Sequence, residues 1–165
     1  MNVMPHTAYI GMGANLGDRV ANLEEAVTRL RAFGEVTRVS SWYETEPVDV
    51  TDQPWFVNGV AELETELTAE ALLRALLTIE HAMGRERIRD KGPRSIDLDL
   101  LLFDNETVNT PELTLPHPAM HERRFVLEPL AEIAPDAAHP VMRETASTLL
   151  ETQPREPVVR RLRRR

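Results

Sequence analysis

Two aspartates separated by one residue, Asp97 and Asp99, lie in the apolar segment SIDLDLLLF at residues 95–103. The composition of this segment is typical of a strand, in which side chains two residues apart project from the same face, about 6.6 Å apart. Two carboxylates on one face repel each other unless cations lie between them. This spacing suits two Mg²⁺ ions about 3.5–4 Å apart. A D-x-D pair alone is equally typical of nucleases, glycosyltransferases and solvated edge strands, so its meaning depends on its neighbours.

Arginines gather just before the acidic pair. Arg94 lies three residues before Asp97, and Arg85 and Arg87 lie upstream in the same charged segment, residues 85–94. Cations beside metal-binding carboxylates indicate a polyanion between them, because arginine binds phosphate oxygens bidentately while Mg²⁺ bridges others. A solvated connecting loop is the alternative, and the adjacent acids favour the phosphate site. The chain contains no GxxxxGK[ST] loop, so a bound ATP would depend on arginines and metal.

Three further polar residues are candidates for the same site. His117 lies between two prolines in LPHP, a rigid extended context, and Arg123 follows in the next helical segment. We expect both to donate to phosphate oxygens, although a lone histidine is more often structural. Glu80 lies beside the apolar face of a predicted helix, where it is either the partner of an arginine or a nucleotide contact. The pattern does not choose between these two roles.

Phe56 and Asn58 predict a site for a flat ring. They lie two residues apart in a β-rich segment and therefore share one face of a strand. An aromatic ring beside an amide that both donates and accepts suits a hydrogen-bonding heterocycle. The alternative is a core Phe56 next to an edge Asn58, and Phe125 as a second stacking plane would favour the ring site.

Composition bounds the class of protein. The chain has 165 residues, 42% of them hydrophobic, which predicts one domain with a sizeable core. With no cysteine, any metal must be held by carboxylate or imidazole, and oxygen ligands favour Mg²⁺. A net charge of −8 argues against a nucleic-acid partner. The lack of a leader or a membrane span leads us to expect a soluble, cytoplasmic protein.

Hydrophobic periodicity predicts the order βαββαββαα. The predicted strands are residues 7–13, 35–45, 55–65 and 95–103 and a short extended piece between the DNET turn and LTLPHP. The predicted helices follow Asp18 and Thr68 and cover 119–133 and 145–152. This order favours an α+β fold with an antiparallel or mixed sheet. The glycines of GMGANLG, residues 11–17, have GxGxxxG spacing, so we set a nicotinamide site aside. Residues 155–165, which end in RRLRRR, are predicted to form a flexible, solvated tail after a single domain of residues 1–154.

Several blocks in order carry a family resemblance: AYIGMGANLGDR, YETEP, DQPWFVN, GRER, GPRSIDLDLLLF and LPHPAMHERRFVLEPLAEIAPD. From about residue 8 to 136 the chain resembles the 6-hydroxymethyl-7,8-dihydropterin pyrophosphokinases of folate biosynthesis. The resemblance implies a monomeric, ferredoxin-like α+β sandwich with two Mg²⁺ ions. It also implies transfer of the β,γ-diphosphate of ATP to the pterin's hydroxymethyl oxygen, with release of AMP.

The same resemblance implies roles for individual residues. The implied catalytic residues are Arg85, Arg94, Asp97 and Asp99, with the two aspartates as metal ligands. The implied ATP contacts are Glu80, Arg87, Arg94, Leu100, Thr114, His117 and Arg123. The implied pterin pocket consists of Thr45, Pro47, Val48, Phe56, Asn58 and Phe125.

The sequence also departs from the family pattern. Lys91 stands where some relatives have a tryptophan in the loop, Pro118 where an aromatic residue is expected, and Glu112 where some relatives have an arginine. Closure of the loop and the adenine contacts are therefore less defined than the chemistry. Two rival functions stay open at this point: another two-metal phosphoryl-transfer or nucleotidyl-transfer enzyme, and a non-catalytic pterin- or nucleotide-binding module.

Overall fold

The computed structural model describes residues 4–46, 54–84 and 95–162. The strands are β1 His6–Ala14, β2 Glu35–Val39, β3 Tyr43–Thr45, β4 Phe56–Thr65, β5 Asp97–Phe103, β6 Val108–Asn109, β7 Thr114–Leu115 and β8 Val159–Arg161. The α-helices are α1 Arg19–Leu30, α2 Ala69–Ala82, α3 Arg124–Ile133 and α4 Ala146–Glu151, and a 3-10 helix spans Met120–Glu122. The predicted site residues Pro47, Val48, Arg85, Arg87 and Arg94 lie outside the described residues.

The main sheet has the order β5-β1-β4-β3-β8, and β2 pairs with the other half of the long strand β4. Every strand pair in the described part of the chain is antiparallel. If β2 and β3 are counted as one strand, the chain from β1 to β5 is the βαββαβ unit of a ferredoxin-like sandwich. The predicted α+β class is confirmed, and the sheet is antiparallel.

Helices cover both faces of this sheet. On one face, Ile10 and Met12 of β1 and Leu98 and Leu100 of β5 pack into a core with α1 and α2. On the other face, a smaller core that includes Leu101 packs against α3. The acids Asp97 and Asp99 of β5 lie on this second face, opposite Gly13 and Gly11 of β1.

Local signals place the ends of the helices. The Asp18 carboxylate accepts a hydrogen bond from Ala21 N–H at 3.1 Å, and the Thr68 hydroxyl accepts one from Ala71 N–H at 3.2 Å. Gly84 follows α2 with φ +74°, a left-handed conformation that glycine adopts without strain. Both predicted helix starts, after Asp18 and after Thr68, are confirmed.

The predicted strand at residues 35–45 is divided into β2 and β3. Ser40 lies between them, and its hydroxyl accepts a hydrogen bond from Val60 N–H at 2.9 Å while its own N–H donates to the Val60 carbonyl. A side chain thus replaces one backbone acceptor of the ladder, which interrupts the regular pairing with β4. Strand propensity alone does not reveal this break.

The prediction of a solvated tail after residue 155 was wrong at Val159–Arg161, which form strand β8 and pair with β3. Strand β3 would otherwise present an edge of unpaired backbone groups, and β8 satisfies them. Glu46 N–H donates to the Val158 carbonyl and Leu162 N–H to the Trp42 carbonyl, which extends the pairing at both ends. Within the described residues, no helix is both long and apolar enough to span a bilayer.

Candidate active site

The two acids of β5 face two glycines of β1. The register pairs Asp99 with Gly11 and Asp97 with Gly13, on the face of the sheet that packs against α3. Because glycine has no side chain, neighbouring side chains come close to the backbone here: a β-carbon on Gly13 would lie 2.8 Å from Asn58 Nδ2, and one on Gly11 would lie 3.3 Å from a Leu101 methyl group. The sequence predicted a strand over residues 7–13, but it assigned Gly11 and Gly13 no role in the site. Their spacing of two residues within that strand was the available signal that both lie on one face.

The same row continues across the sheet. Gly13 lies opposite Asn58 of β4, and Asn58 lies opposite Tyr43 of β3. Phe56 lies opposite Thr45 in the next row of the same face. Three residues of the implied pterin pocket therefore share one sheet face with the acidic pair, although they come from different strands.

Two polar atoms on this face are buried without a hydrogen bond. Thr45 is 4% exposed and Asn58 is 8% exposed, and neither Thr45 Oγ1 nor Asn58 Oδ1 has a hydrogen-bond partner in the described part of the chain. Burying an unpaired polar atom costs about 1–3 kcal/mol, so a ligand that bonds to both atoms would offset that cost. Ser95 Oγ, which sequence reasoning missed, is also buried without a partner there, two residues before Asp97.

Phe125 lies in the first turn of α3, half-buried against the second core. The guanidinium of Arg123, which immediately precedes α3, lies 5.6 Å from the centre of the Phe125 ring. The start of α3 thus presents an aromatic plane and a cation together above the sheet face.

His117 is held against the edge of β5. Its backbone N–H donates to the Leu101 carbonyl at 2.9 Å, and its Nδ1 accepts a hydrogen bond from Ala119 N–H at 3.2 Å. Because Nδ1 accepts, the proton of the neutral ring lies on Nε2, where it can be donated to a ligand. Burial lowers the pKa of His117 to about 4, Arg123 contributes in the same direction, and Asp97 opposes them. These three side chains therefore lie within electrostatic reach of one another.

Glu80 supports the strand that carries the acids. It is 5% exposed on α2, and its carboxylate accepts a hydrogen bond from Leu98 N–H at 2.7 Å, between the two aspartates. A backbone donor on the outer edge of β5 is thus satisfied by a helix side chain. The sequence did not decide whether Glu80 pairs with an arginine or contacts a nucleotide. The hydrogen bond from a backbone N–H is a contact that neither alternative included.

The resemblance also implied nucleotide contacts by Leu100 and Thr114, which lie in different environments. The side chain of Leu100 is 4% exposed and packs in the core of the α1–α2 face, away from the acids. The two-residue period of β5 requires this, because Leu100 alternates with Asp99. Thr114 is exposed on the short strand β7.

Two other polar groupings lie apart from this face. His6 Nδ1 pairs with Asp104 at 2.7 Å and Glu106 is nearby, at the end of β5 opposite Asp97. The Asp104 carboxylate also accepts from Thr7 N–H, so it joins the ends of β1 and β5. A concavity of about 450 Å³, which Trp55 and Arg160 help to line, contains none of the predicted site residues.

The chain matches the family model of 7,8-dihydro-6-hydroxymethylpterin-pyrophosphokinase (HPPK) over residues 9–135. The chain belongs to the HPPK family. The resemblance predicted for residues 8 to 136 is thereby confirmed.

Named relatives of the HPPK family agree with this match. The 2-amino-4-hydroxy-6-hydroxymethyldihydropteridine pyrophosphokinase of Bacillus subtilis is 48% identical over 132 residues, which is 79% of this chain and 79% of the relative. The enzyme of the same name from Methylorubrum extorquens is 48% identical over 131 residues, covering 78% of this chain and 83% of the relative. The folic acid synthesis protein fol1 of Schizosaccharomyces pombe is 40% identical over 89% of this chain, which spans only 20% of that protein.

A solved structure of an HPPK-DHPS in complex with substrates has the same fold, with a TM-score of 0.72. It is 16% identical in sequence, and the match covers 90% of this chain and 43% of the solved one. The chain therefore corresponds to less than half of that two-part protein.

Proposed function

We propose that this chain transfers the β,γ-diphosphate of ATP to the hydroxymethyl group of 6-hydroxymethyl-7,8-dihydropterin, releasing AMP and the pterin diphosphate in folate biosynthesis. The reaction forms a bond between the hydroxymethyl oxygen and the β-phosphorus and breaks the bond from that phosphorus to the oxygen that AMP retains. The hydroxyl proton leaves to solvent. Membership of the HPPK family supports this reaction.

One observation carries the proposal: two buried polar atoms without a hydrogen-bond partner in the described part of the chain, Thr45 Oγ1 and Asn58 Oδ1, share one face of the sheet with the acidic pair. Asn58 and Asp97 are two strands apart, with Gly13 between them, which corresponds to about 10 Å. That length suits a bicyclic ring with a hydroxymethyl arm that reaches toward the acids. Thr45 Oγ1 and Asn58 Oδ1 would bond to the ring edge, and Phe56 and Phe125 would contact its faces.

The residues present suit Mg²⁺. Asp97 and Asp99 are half-buried carboxylates on one face of β5, and carboxylate oxygens are the ligands that Mg²⁺ prefers. We propose that these two carboxylates hold two Mg²⁺ ions, as the resemblance implies. The ions would supply fixed positive charge beside the phosphate oxygens.

Other side chains of this chain would position the triphosphate. We propose that His117 would donate through Nε2 and Arg123 through its guanidinium; both lie within electrostatic reach of each other, and His117 also of Asp97. We propose that Arg85, Arg87 and Arg94 add further phosphate contacts. Positioning and electrostatic stabilisation then supply most of the acceleration, and no general base is required.

The rival functions make different products. Incubation with ATP, Mg²⁺ and 6-hydroxymethyl-7,8-dihydropterin should give AMP and the pterin diphosphate in equal amounts, measured by chromatography. Production of ADP or free phosphate alone would instead indicate another two-metal enzyme. A non-catalytic binding module would retain both substrates without turnover. Replacement of both aspartates by alanine should abolish turnover in an enzyme.

We further propose that the active form is a monomer. The family resemblance implies a monomer, in which one chain would hold a whole site. Sedimentation at the concentration used for the assay tests this, and activity confined to a dimer would contradict it.

A further inference from the structure

The carboxylate of Glu132, in the last turn of α3, collects donors from three other parts of the chain. Ser41 donates its backbone N–H and its hydroxyl, each at 3.0 Å, and the Tyr43 hydroxyl donates at 2.7 Å. Arg161 of β8 lies 3.0 Å away as an ion pair. One side chain thus connects α3 with strand β3, with the segment before β3, and with the C-terminal strand.

The protonation states of this cluster are defined by its contacts. Partial burial raises the pKa of Glu132, but the hydrogen bonds from Tyr43, Ser41 and Arg161 outweigh it, and the pKa lies below its usual value. Burial and the bond to Glu132 raise the pKa of Tyr43 to about 12. A charged carboxylate therefore accepts from a neutral phenol and a charged guanidinium, which makes strong, directional bonds.

This cluster borders the residues of the candidate site on both layers. Glu132 lies seven residues after Phe125, which is two turns along the same side of α3. Tyr43 lies directly opposite Asn58 and two residues before Thr45. The contacts of Glu132 therefore connect the helix that carries Phe125 to the strand that carries Thr45.

We propose that Glu132, with Tyr43 and Arg161, is a positioning residue that sets the distance between α3 and the β3–β4 part of the sheet. That distance determines how closely Phe125 approaches a ring held by Asn58 and Thr45. The role rests on the proposed function, and it assigns the C-terminal strand a part in pterin affinity. The apolar contacts of Val126 and Leu130 already hold α3 on the sheet, so the polar cluster adjusts its position.

Strand β8 offers a matched control. Arg160, the neighbour of Arg161, points to the opposite face, where it forms an ion pair with Glu44 at 3.2 Å and lies 4.7 Å from the Trp55 ring centre. The two arginine side chains are similarly exposed, 63% for Arg160 and 56% for Arg161. Loss of either removes one charge and one ion pair from the same strand.

The experiment compares steady-state kinetics of Glu132→Ala, Glu132→Gln, Arg161→Ala and Arg160→Ala. Misplacing a contact group by a fraction of an ångström lowers affinity, so the pterin KM should rise about tenfold for Glu132→Ala and about threefold for Arg161→Ala. The ATP KM should stay within about twofold for both. Glu132→Gln, which keeps the shape and can still accept from Ser41 and Tyr43, should recover most of the affinity. Arg160→Ala should resemble the wild type.

Several outcomes would overturn the positioning role. One is an unchanged pterin KM in Glu132→Ala and Arg161→Ala. Another is an equal rise of the pterin KM and the ATP KM in these variants. A third is an equal change of the pterin KM in Arg160→Ala and Arg161→Ala. If Glu132→Ala does not fold, as circular dichroism would show, Tyr43→Phe removes one of the same bonds and should raise the pterin KM alone. Lack of turnover in the wild-type protein would overturn the proposed function itself. Normal wild-type turnover with unchanged variants would overturn only the positioning role of Glu132.

Discussion

Gly13 and Asn58 lie directly opposite each other on strands β1 and β4, and a β-carbon on Gly13 would lie 2.8 Å from Asn58 Nδ2. The amide of Asn58 therefore occupies space that exists only because residue 13 has no side chain. Gly13 also pairs with Asp97 on its other side. One glycine thus separates the end of the site that would bind the ring from the end that would bind metal.

Substitution of Gly13 by alanine should raise the pterin KM about tenfold, because the new methyl group displaces the Asn58 amide. The atom it meets is the end of a side chain, so thermal stability should fall only slightly. Gly11→Ala is the matched control on the same face of β1, where the added β-carbon meets the Leu101 methyl groups at 3.3 Å. Steady-state kinetics would contradict the assignment if both variants changed the pterin KM equally.

Replacement of Asp97 or Asp99 by asparagine should lower kcat by about a hundredfold or more, because each variant loses a charged ligand for Mg²⁺. The Mg²⁺ concentration required for half-maximal rate should rise. Asp104→Asn, at the other end of the same strand, should leave the Mg²⁺ dependence unchanged. Titration of the rate with Mg²⁺ tests this, and a variant of Asp97 with wild-type Mg²⁺ dependence would argue against its role as a ligand.

Loss of the Glu80 carboxylate should destabilise the fold and disturb the acidic pair. Glu80→Ala leaves Leu98 N–H without this acceptor, and such a loss costs about 1–3 kcal/mol in free energy of unfolding. Glu70→Ala, at the exposed start of α2, should change the free energy of unfolding by less than about 1 kcal/mol. Urea denaturation measures both values. If the two variants had equal free energies of unfolding, the hydrogen bond of Glu80 would not contribute to stability.

His117 should remain neutral across the physiological range in the metal-free protein. Its folded-state pKa of about 4 lies below the unfolded value of 6.5, so the folded state releases the proton more readily. Its contribution to the free energy of unfolding is therefore complete above pH 6.5 and decreases as the pH falls toward 4. NMR of the imidazole nitrogens should show a midpoint near 4, and a midpoint near 6.5 would contradict this environment.

Local rules in the sequence determined part of the site. The two-residue period of strands places Asp97 with Asp99, and Phe56 with Asn58, on common faces, whatever the rest of the chain does. Short polar caps, Asp18 and Thr68, begin the helices through bonds within one turn. These features depend on residues near each other in the chain, so they can be read without the fold.

Only the tertiary structure decided which of these faces meet. The register that places Gly13 between Asp97 and Asn58 joins three strands that are far apart in sequence, and pairing of this kind depends on the whole sheet. The bond from Leu98 to Glu80 and the pairing of β8 with β3 are equally nonlocal. The sequence around Arg160 and Arg161 is typical of a solvated tail. The edge of β3 with which these residues pair is distant in the chain, so the local sequence does not predict the pairing. Sequence alone therefore determined the chemical groups, whereas packing across the sheet determined their arrangement.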